Sequence, residues 1–288
     1  MRGRFYIDGV DSLVRYGVFV MKNGYTPLFN VPAFKQLDIT NWLDEDGVEV
    51  DLSEPKLQSA NVSITFGFCN IELLESFYEQ LISGSIHYFE FDEIGLAVNM
   101  RLVTVGSLSG LIRMGKISLS FAIDEVHIPS STPYPIGTTR VAQRGTIIDG
   151  VDMSQYGCWI LSGSYHSKST PASVKQNLRI DSKYISGAKY YPQNRIDSEG
   201  KLVERVVKCS RDVTLSLLIN ARSGEEFWRC YNSLLSHLTS AGIKKIQFDD
   251  SDETHDFHYK LCSAKSFDIT RKSTWWLMFD LTITLING

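Results

Sequence analysis

The chain has 288 residues, 33 acidic and 29 basic, for a formal net charge of −4. That length exceeds one average domain and suits two, each able to bury its own core. The slight acidic excess argues against a general nucleic-acid binder. No apolar run nears the roughly 18 residues of a membrane span, and the start MRGRFYIDG lacks a signal peptide's apolar centre, so the expectation is a soluble, unexported protein.

The first element predicted is a strand and turn over residues 3–20, containing Ile7 to Asp11 (IDGVD) and then Tyr16-Gly17. Asp8-Gly9 is a tight-turn signal, since Gly tolerates positive φ and Asp bonds its own backbone; a binding loop is the alternative. An irregular stretch, Lys22 to Asp46, follows and ends at the turn Asp46-Gly47. Val62, Ile64, Phe66 and Phe68 then alternate with small or polar residues, the period of a half-buried strand. Asn70 offers a helix N-cap, and Leu73, Leu74, Phe77, Tyr78 and Leu81 recur at helical spacing up to Gly84. Strands are predicted at Ile86–Phe91 and Leu96–Val105, with a turn at Asp92–Gly95 between them, and at Ile117–Ile123.

The Pro-, Ser- and Thr-rich run from His127 to Gln143 reads as a linker, placing a first domain at 1–128, the linker at 129–143 and a second domain at 144–288. The second domain repeats the first. IDGVD returns at Ile148–Asp152, with Asp149-Gly150 in the turn and Tyr156-Gly157 after it. Val213, Leu215, Leu217 and Ile219 alternate as in the first copy. Ser223 and Glu226 have capping-box spacing, and Phe227, Tyr231, Leu234, Leu235 and Leu238 lie on one helical face. Gly242 follows, and IKKIQFDD at 243–250 answers SIHYFEFDE at 85–93. Leu277, Phe279, Leu281 and Ile283 alternate in the closing strand. The fold class predicted is mainly β (α+β): two tandem copies of an antiparallel β-sandwich or barrel, each with one amphipathic helix.

The halves differ in one loop. From Gly17 to Gly47 is 30 positions, and from Gly157 to Gly200 is 43. The longer early loop, 161–198, interleaves Arg179, Lys183 and Lys189 with Tyr184, Tyr190 and Tyr191. Loops this long without obvious structure of their own are usually functional or disordered. Tyrosines among basic residues fit an arm that packs on a neighbouring subunit, with nucleic-acid stacking as the other reading.

Candidate chemistry is thin. There is no G-x-S-x-G, no P-loop and no H-E-x-x-H, so no catalytic residue, cofactor or enzyme activity is expected. The acidic stretch Asp249–Tyr259, with His255 and His258, lacks EF-hand order, and two His at i and i+3 on a strand point to opposite faces. A solvated hairpin tip is preferred there to a metal site. The five cysteines form no CxxC pair and read as buried thiols made in a reducing compartment.

An amphipathic helix set between antiparallel strands, a long early loop, and NWLDEDGVEVDLSEP (Asn41–Pro55) ahead of a VSITF strand resemble the bacteriophage tail tube and distal tail protein superfamily. The likeness applies to each half separately. It implies a structural tail protein made in the bacterial cytoplasm and located in the virion tail, at the tube, distal tail or baseplate hub, forming a ring around the channel through which genomic DNA passes. Expected partners are other copies of itself and neighbouring tail or baseplate proteins, with no membrane. The usual tube subunit has one such domain; two per chain imply a trimer with pseudo-sixfold symmetry. The alternative is a carbohydrate-binding pair of β-sandwiches from a receptor-binding apparatus, which would need exposed aromatic faces.

Overall fold

The computed structural model of the chain describes residues 3–41, 47–111, 114–129, 146–161, 195–196, 202–203, 210–247, 254–270 and 274–286. The first half runs β1 (Tyr6–Ile7), β2 (Val10–Asp11), α1 (Ser12–Tyr16), β3 (Val18–Val20), β4 (Ile39–Thr40), β5 (Glu49–Val50), β6 (Ala60–Phe68), α2 (Ile71–Ser83), β7 (His87–Phe91), β8 (Leu96–Leu111) and β9 (Met114–Ile123). The second runs β10 (Ile147–Ile148), β11 (Val151–Asp152), β12 (Cys158–Leu161), β13 (Arg195–Ile196), β14 (Leu202–Val203), β15 (Arg211–Ala221), α3 (Gly224–Thr239), β16 (Lys244–Gln247), β17 (Thr254–Ile269) and β18 (Trp275–Leu285). Each half makes one seven-stranded sheet, in the order β2-β1-β7-β8-β9-β6-β3 and β11-β10-β16-β17-β18-β15-β12. The two orders match position for position, and the pairings are antiparallel. The mainly β, antiparallel class is as predicted.

Alternation decides which face of each sheet is buried. Val62, Ile64, Phe66 and Phe68 of β6 all point inward, as do Leu215, Leu217 and Ile219 of β15. Against the first face α2 lays Leu74, Phe77 and Leu81, and the rings of Phe5, Phe66 and Phe77 meet at 5.1–6.4 Å. Against the second, α3 lays Phe227, Cys230, Tyr231, Leu234, Leu235 and Leu238. Full burial of each such side chain contributes about 1.5–3 kcal/mol, so the helices are held chiefly by these stripes. Leu73, predicted on the apolar face of α2, is exposed, because it lies on the flank of the stripe set by Leu74, Phe77 and Leu81.

Local signals explain the helix ends. Asn70 Oδ1 accepts from Glu72 N–H at 2.9 Å, and Ser223 Oγ from Glu226 N–H at 3.1 Å. The predicted capping box is displaced by one residue on its return side: the Glu226 carboxylate takes the N–H of Arg222 at 2.6 Å. Gly84 caps α2 in an extended conformation. Strands β8 and β9 run further than predicted, to Leu111 and from Met114; the Gly- and Ser-rich sequence there weakens intrinsic strand preference, but cross-strand pairing overrides it.

Candidate assembly site

The repeated IDGVD-Tyr-Gly words fold into the same device twice. Ile7 pairs with Val10, and Ile148 with Val151, leaving two-residue Asp-Gly loops. Asp8 and Gly9 have φ of 51° and 79°, and Asp149 and Gly150 have 47° and 79°, the double positive φ of a type I′ turn. Asp11 Oδ1 then accepts from the N–H groups of Leu13 and Val14 to start α1, and Asp152 Oδ1 accepts from Ser154 to start a 3-10 turn, Met153–Tyr156. Gly17 and Gly157 close these turns at φ 66° in the left-handed region. The sequence predicted only strand and turn over 3–20; the one-turn helix is too short for apolar periodicity to show.

The first Asp of each motif also ties the turn to the rest of its sheet. Asp8 N–H donates to Tyr88 O at 2.8 Å while Asp8 Oδ1 accepts from Tyr88 N–H at 2.9 Å. Asp149 does the same with Lys245, at 2.9 and 2.7 Å. The second carboxylate oxygen reaches the helix. Asp8 Oδ2 accepts from His87 Nδ1 at 2.6 Å and Gln80 Nε2 at 3.3 Å, and Tyr16 OH donates to Gln80 Oε1 at 3.4 Å. In the second half, His237 Nε2 donates to Asp149 Oδ2 at 3.0 Å and Tyr156 OH donates to His237 Nδ1 at 2.6 Å. Gln80 and His237 each lie seven residues before the first residue of β7 or β16, His87 and Lys244. The two halves therefore build one Asp–helix–Tyr chain with different middle residues.

Electrostatics follow from burial and these bonds. Burial opposes ionisation of Asp8, but the bonds from His87 and Tyr88 N–H outweigh it and hold its carboxyl below the ordinary value. Burial lowers His237 despite its bond to Asp149, so the neutral ring, with Nε2 protonated, links Tyr156 to Asp149. Burial likewise lowers His258. The Cys262 thiol is pushed up to about 12 and Cys230 to about 11, both chiefly by burial, which makes them inert. Cys69, by contrast with the predicted burial of the thiols, is exposed.

The second feature is a seam between the halves, formed by residues predicted to be irregular. The turn Thr26–Phe29 carries Phe29 into the second half, where its ring lies 4.5–5.8 Å from those of Phe227, Trp228, Tyr231 and Phe267. Tyr231 OH donates to Phe29 O at 2.7 Å, and Tyr259 OH to Val31 O at 2.6 Å. Val31 and Cys262 exchange both backbone bonds at 3.0 Å, and Ala264 N–H donates to Asn30 Oδ1 at 2.8 Å. Residues 29–31 thus lie along the outer edge of β17 past the point where β16 stops pairing with it. Trp228 Nε1 donates to Ile94 O at 2.6 Å and Gly242 N–H to Leu52 O at 2.9 Å, adding two further ties. Tyr231 and Tyr259 are both raised by burial, so their hydroxyls remain donors.

The predicted contact residues Arg179, Lys183, Tyr184, Lys189, Tyr190 and Tyr191, and most of the linker and early loop, lie outside the described residues, as do Asp249, Asp250, Asp252 and Glu253. Among the described residues no group of three His, Cys, Asp or Glu side chains could hold a metal ion. No helix among them is long and apolar enough to cross a membrane. The aromatic platforms of a sugar-binding reading reduce, among the described residues, to Tyr88, the one aromatic counted as exposed; Trp228 is spent on the seam.

No protein-family model matches the sequence, and no curated protein matches it either. Among solved structures, the chain is similar to SPP1 Dit (gp 19.1), described as a paradigm of the hub adsorption apparatus in phages infecting Gram-positive bacteria. The identity is 10%, the TM-score 0.33, and the match covers 99% of this chain and 98% of that one. A likeness of that size carries no conclusion about function.

Proposed function

We propose that this chain is a structural component of a bacteriophage or prophage tail, at the tube, distal tail or baseplate hub, where it forms a ring around the DNA channel and has no catalytic role. The observation that supports this best is the seam. Two sheets of identical strand order stand side by side in one chain, and a segment of the first runs along the edge of the second, with reciprocal main-chain bonds between Val31 and Cys262. That is the kind of contact from which a ring of similar sheets is built, since head-to-tail pairing leaves no edge open. Three chains of two sheets each supply six, hence a trimer with pseudo-sixfold symmetry. The early loop 161–198 is proposed as an arm to a neighbouring subunit or ring, through Arg179, Lys183, Tyr184, Lys189, Tyr190 and Tyr191.

Electron microscopy of particles labelled with antibody against the chain tests the location, and label absent from the tail refutes it. Class averages test the stoichiometry: a ring of six chains with only one half of each at the lumen would rule out the trimer. Deleting Ser167–Gly187 tests the arm. It is expected to leave the melting transition nearly unchanged, because loop length affects stability only slowly, and to abolish ring formation in negative stain; normal rings would eliminate the arm.

A further inference from the structure

The two sheets carry an equivalent edge, covered in one half and bare in the other. Strand β17 pairs with β16 only through Phe257, and β8 with β7 only through Met100. Counting five residues on from each brings Cys262 and Val105 to the same place, after a bulge at the same position in each strand, between Tyr259 and Leu261 and between Leu102 and Thr104. Cys262 is 0% exposed and its backbone edge is taken by Val31; Val105 is 53% exposed, with Val103, Leu108 and Met114 of the same hairpin also exposed. Among the described residues nothing pairs with the outer edge of β8 beyond Met100.

The sequence of that edge sharpens the contrast. Residues 102–111, LVTVGSLSGL, hold no charge and no proline, whereas open edges of monomeric proteins are ordinarily guarded by Lys, Pro or inward charges. The covered strand β17 carries Lys260, Lys265 and Asp268 over the matching stretch. An unguarded edge of small and apolar residues is a template for another strand.

We infer that the outer edge of β8, centred on Val103, Val105 and Leu108, is the docking surface for a second copy of this chain, which pairs with it as residues 29–31 pair with β17. The inference rests on the assembly reading for its occupant and on the matched strand orders for its location. The intrachain seam and this interchain contact then alternate around the assembly, so one type of edge contact joins all the sheets.

The test uses the full chain, with Val105→Glu and Leu108→Lys as edge variants and Val14→Glu, at a side chain 80% exposed on α1 away from the edge, as the control. Melting curves verify folding; sedimentation and concentration-dependent amide exchange read association. The parent is expected to associate with protection over 102–110, the edge variants to weaken association by about tenfold or more, since each places a charge in a pairing surface, and Val14→Glu to behave as the parent. Association unchanged in both folded edge variants overturns the inference and leaves the tail assembly standing. A parent monomeric at about 1 mM, with 102–110 exchanging freely, also overturns it, and particle labelling then decides the tail reading separately. If one edge variant fails to fold, the other and the exchange pattern of the parent still decide.

Discussion

Truncating Phe29 to Ala should uncouple the two halves. The side chain is fully buried, and the four rings around it, from Phe227, Trp228, Tyr231 and Phe267, all belong to the second half. Removing a buried Phe costs about 3–5 kcal/mol, comprising lost transfer energy and a cavity that neighbours on α3 and β17 fill only in part. For a chain of this size each kcal/mol moves the midpoint by about 2–4 °C, so a fall of about 6–20 °C is expected. Because the loss is concentrated at the seam, calorimetry should also resolve two transitions where the parent shows one. Circular dichroism at 20 °C should be unchanged, since neither sheet depends on that ring for its own pairing. A midpoint within about 2 °C of the parent, with a single transition, would show that the seam adds nothing to stability and would refute the reasoning.

Asp8→Asn should destabilise by about 1–2 kcal/mol, since Oδ2 accepts from both His87 and Gln80 and an amide there meets donors with donors; denaturant midpoints with an unchanged slope check it. The lowered values of His237 and His258 mean that the unfolded chain binds more protons than the folded one below its ordinary His value near 6.5. Stability is therefore fully present above about pH 6.5 and is lost as the pH falls from there through the folded values; melting midpoints from pH 8 to 5 should drop on the acid side. His237→Gln, which copies the first half's Gln80, should fold at pH 7 and flatten that drop, and a drop as steep as the parent's would exclude His237 as a contributor. Gly17→Ala should cost about 1–2 kcal/mol from φ 66° alone, because the added Cβ meets only ordinary contacts at 3.7 Å or more; a neutral effect would mean that the turn relaxes.

The parts legible in the sequence are those with local causes. Asp-Gly with apolar flanks specifies its turn, the period of two in β6, β15 and β18 specifies the buried faces, and Asn70 and Ser223 start their helices as side-chain oxygens adjoining an apolar stripe. The Tyr-Gly half of the motif was harder, because α1 is too short to show a period and the chain from Tyr16 through Gln80 to Asp8 joins residues up to 72 positions apart. The seam was not legible at all. Phe29, Asn30 and Val31 have no periodicity of their own, and their hydrogen-bond partners lie more than 200 residues away. Nor does LVTVGSLSGL announce its length as a strand, since Gly and Ser lower the propensity that β9 then overrides.

Gln80 and His87 of the first half stand where the second half has His237 and Lys244. In the first half both Gln80 and His87 donate to Asp8 Oδ2, whereas in the second His237 donates to Asp149 Oδ2 and Lys244 Nζ donates to Ala241 O, so Lys244→His alone would set two ring donors on one oxygen and His237→Gln alone would leave that oxygen a single amide donor. Grafting the first half's pair onto the second therefore has to be done as a double change, His237→Gln with Lys244→His, and the single steps on that path should each be worse than its end point. The Asp–helix–Tyr chain is closed within each half, so it is the seam, where Phe29 of one half meets Phe227, Trp228, Tyr231 and Phe267 of the other, that a designer building a longer array from this chain would have to refit before repeating either half alone.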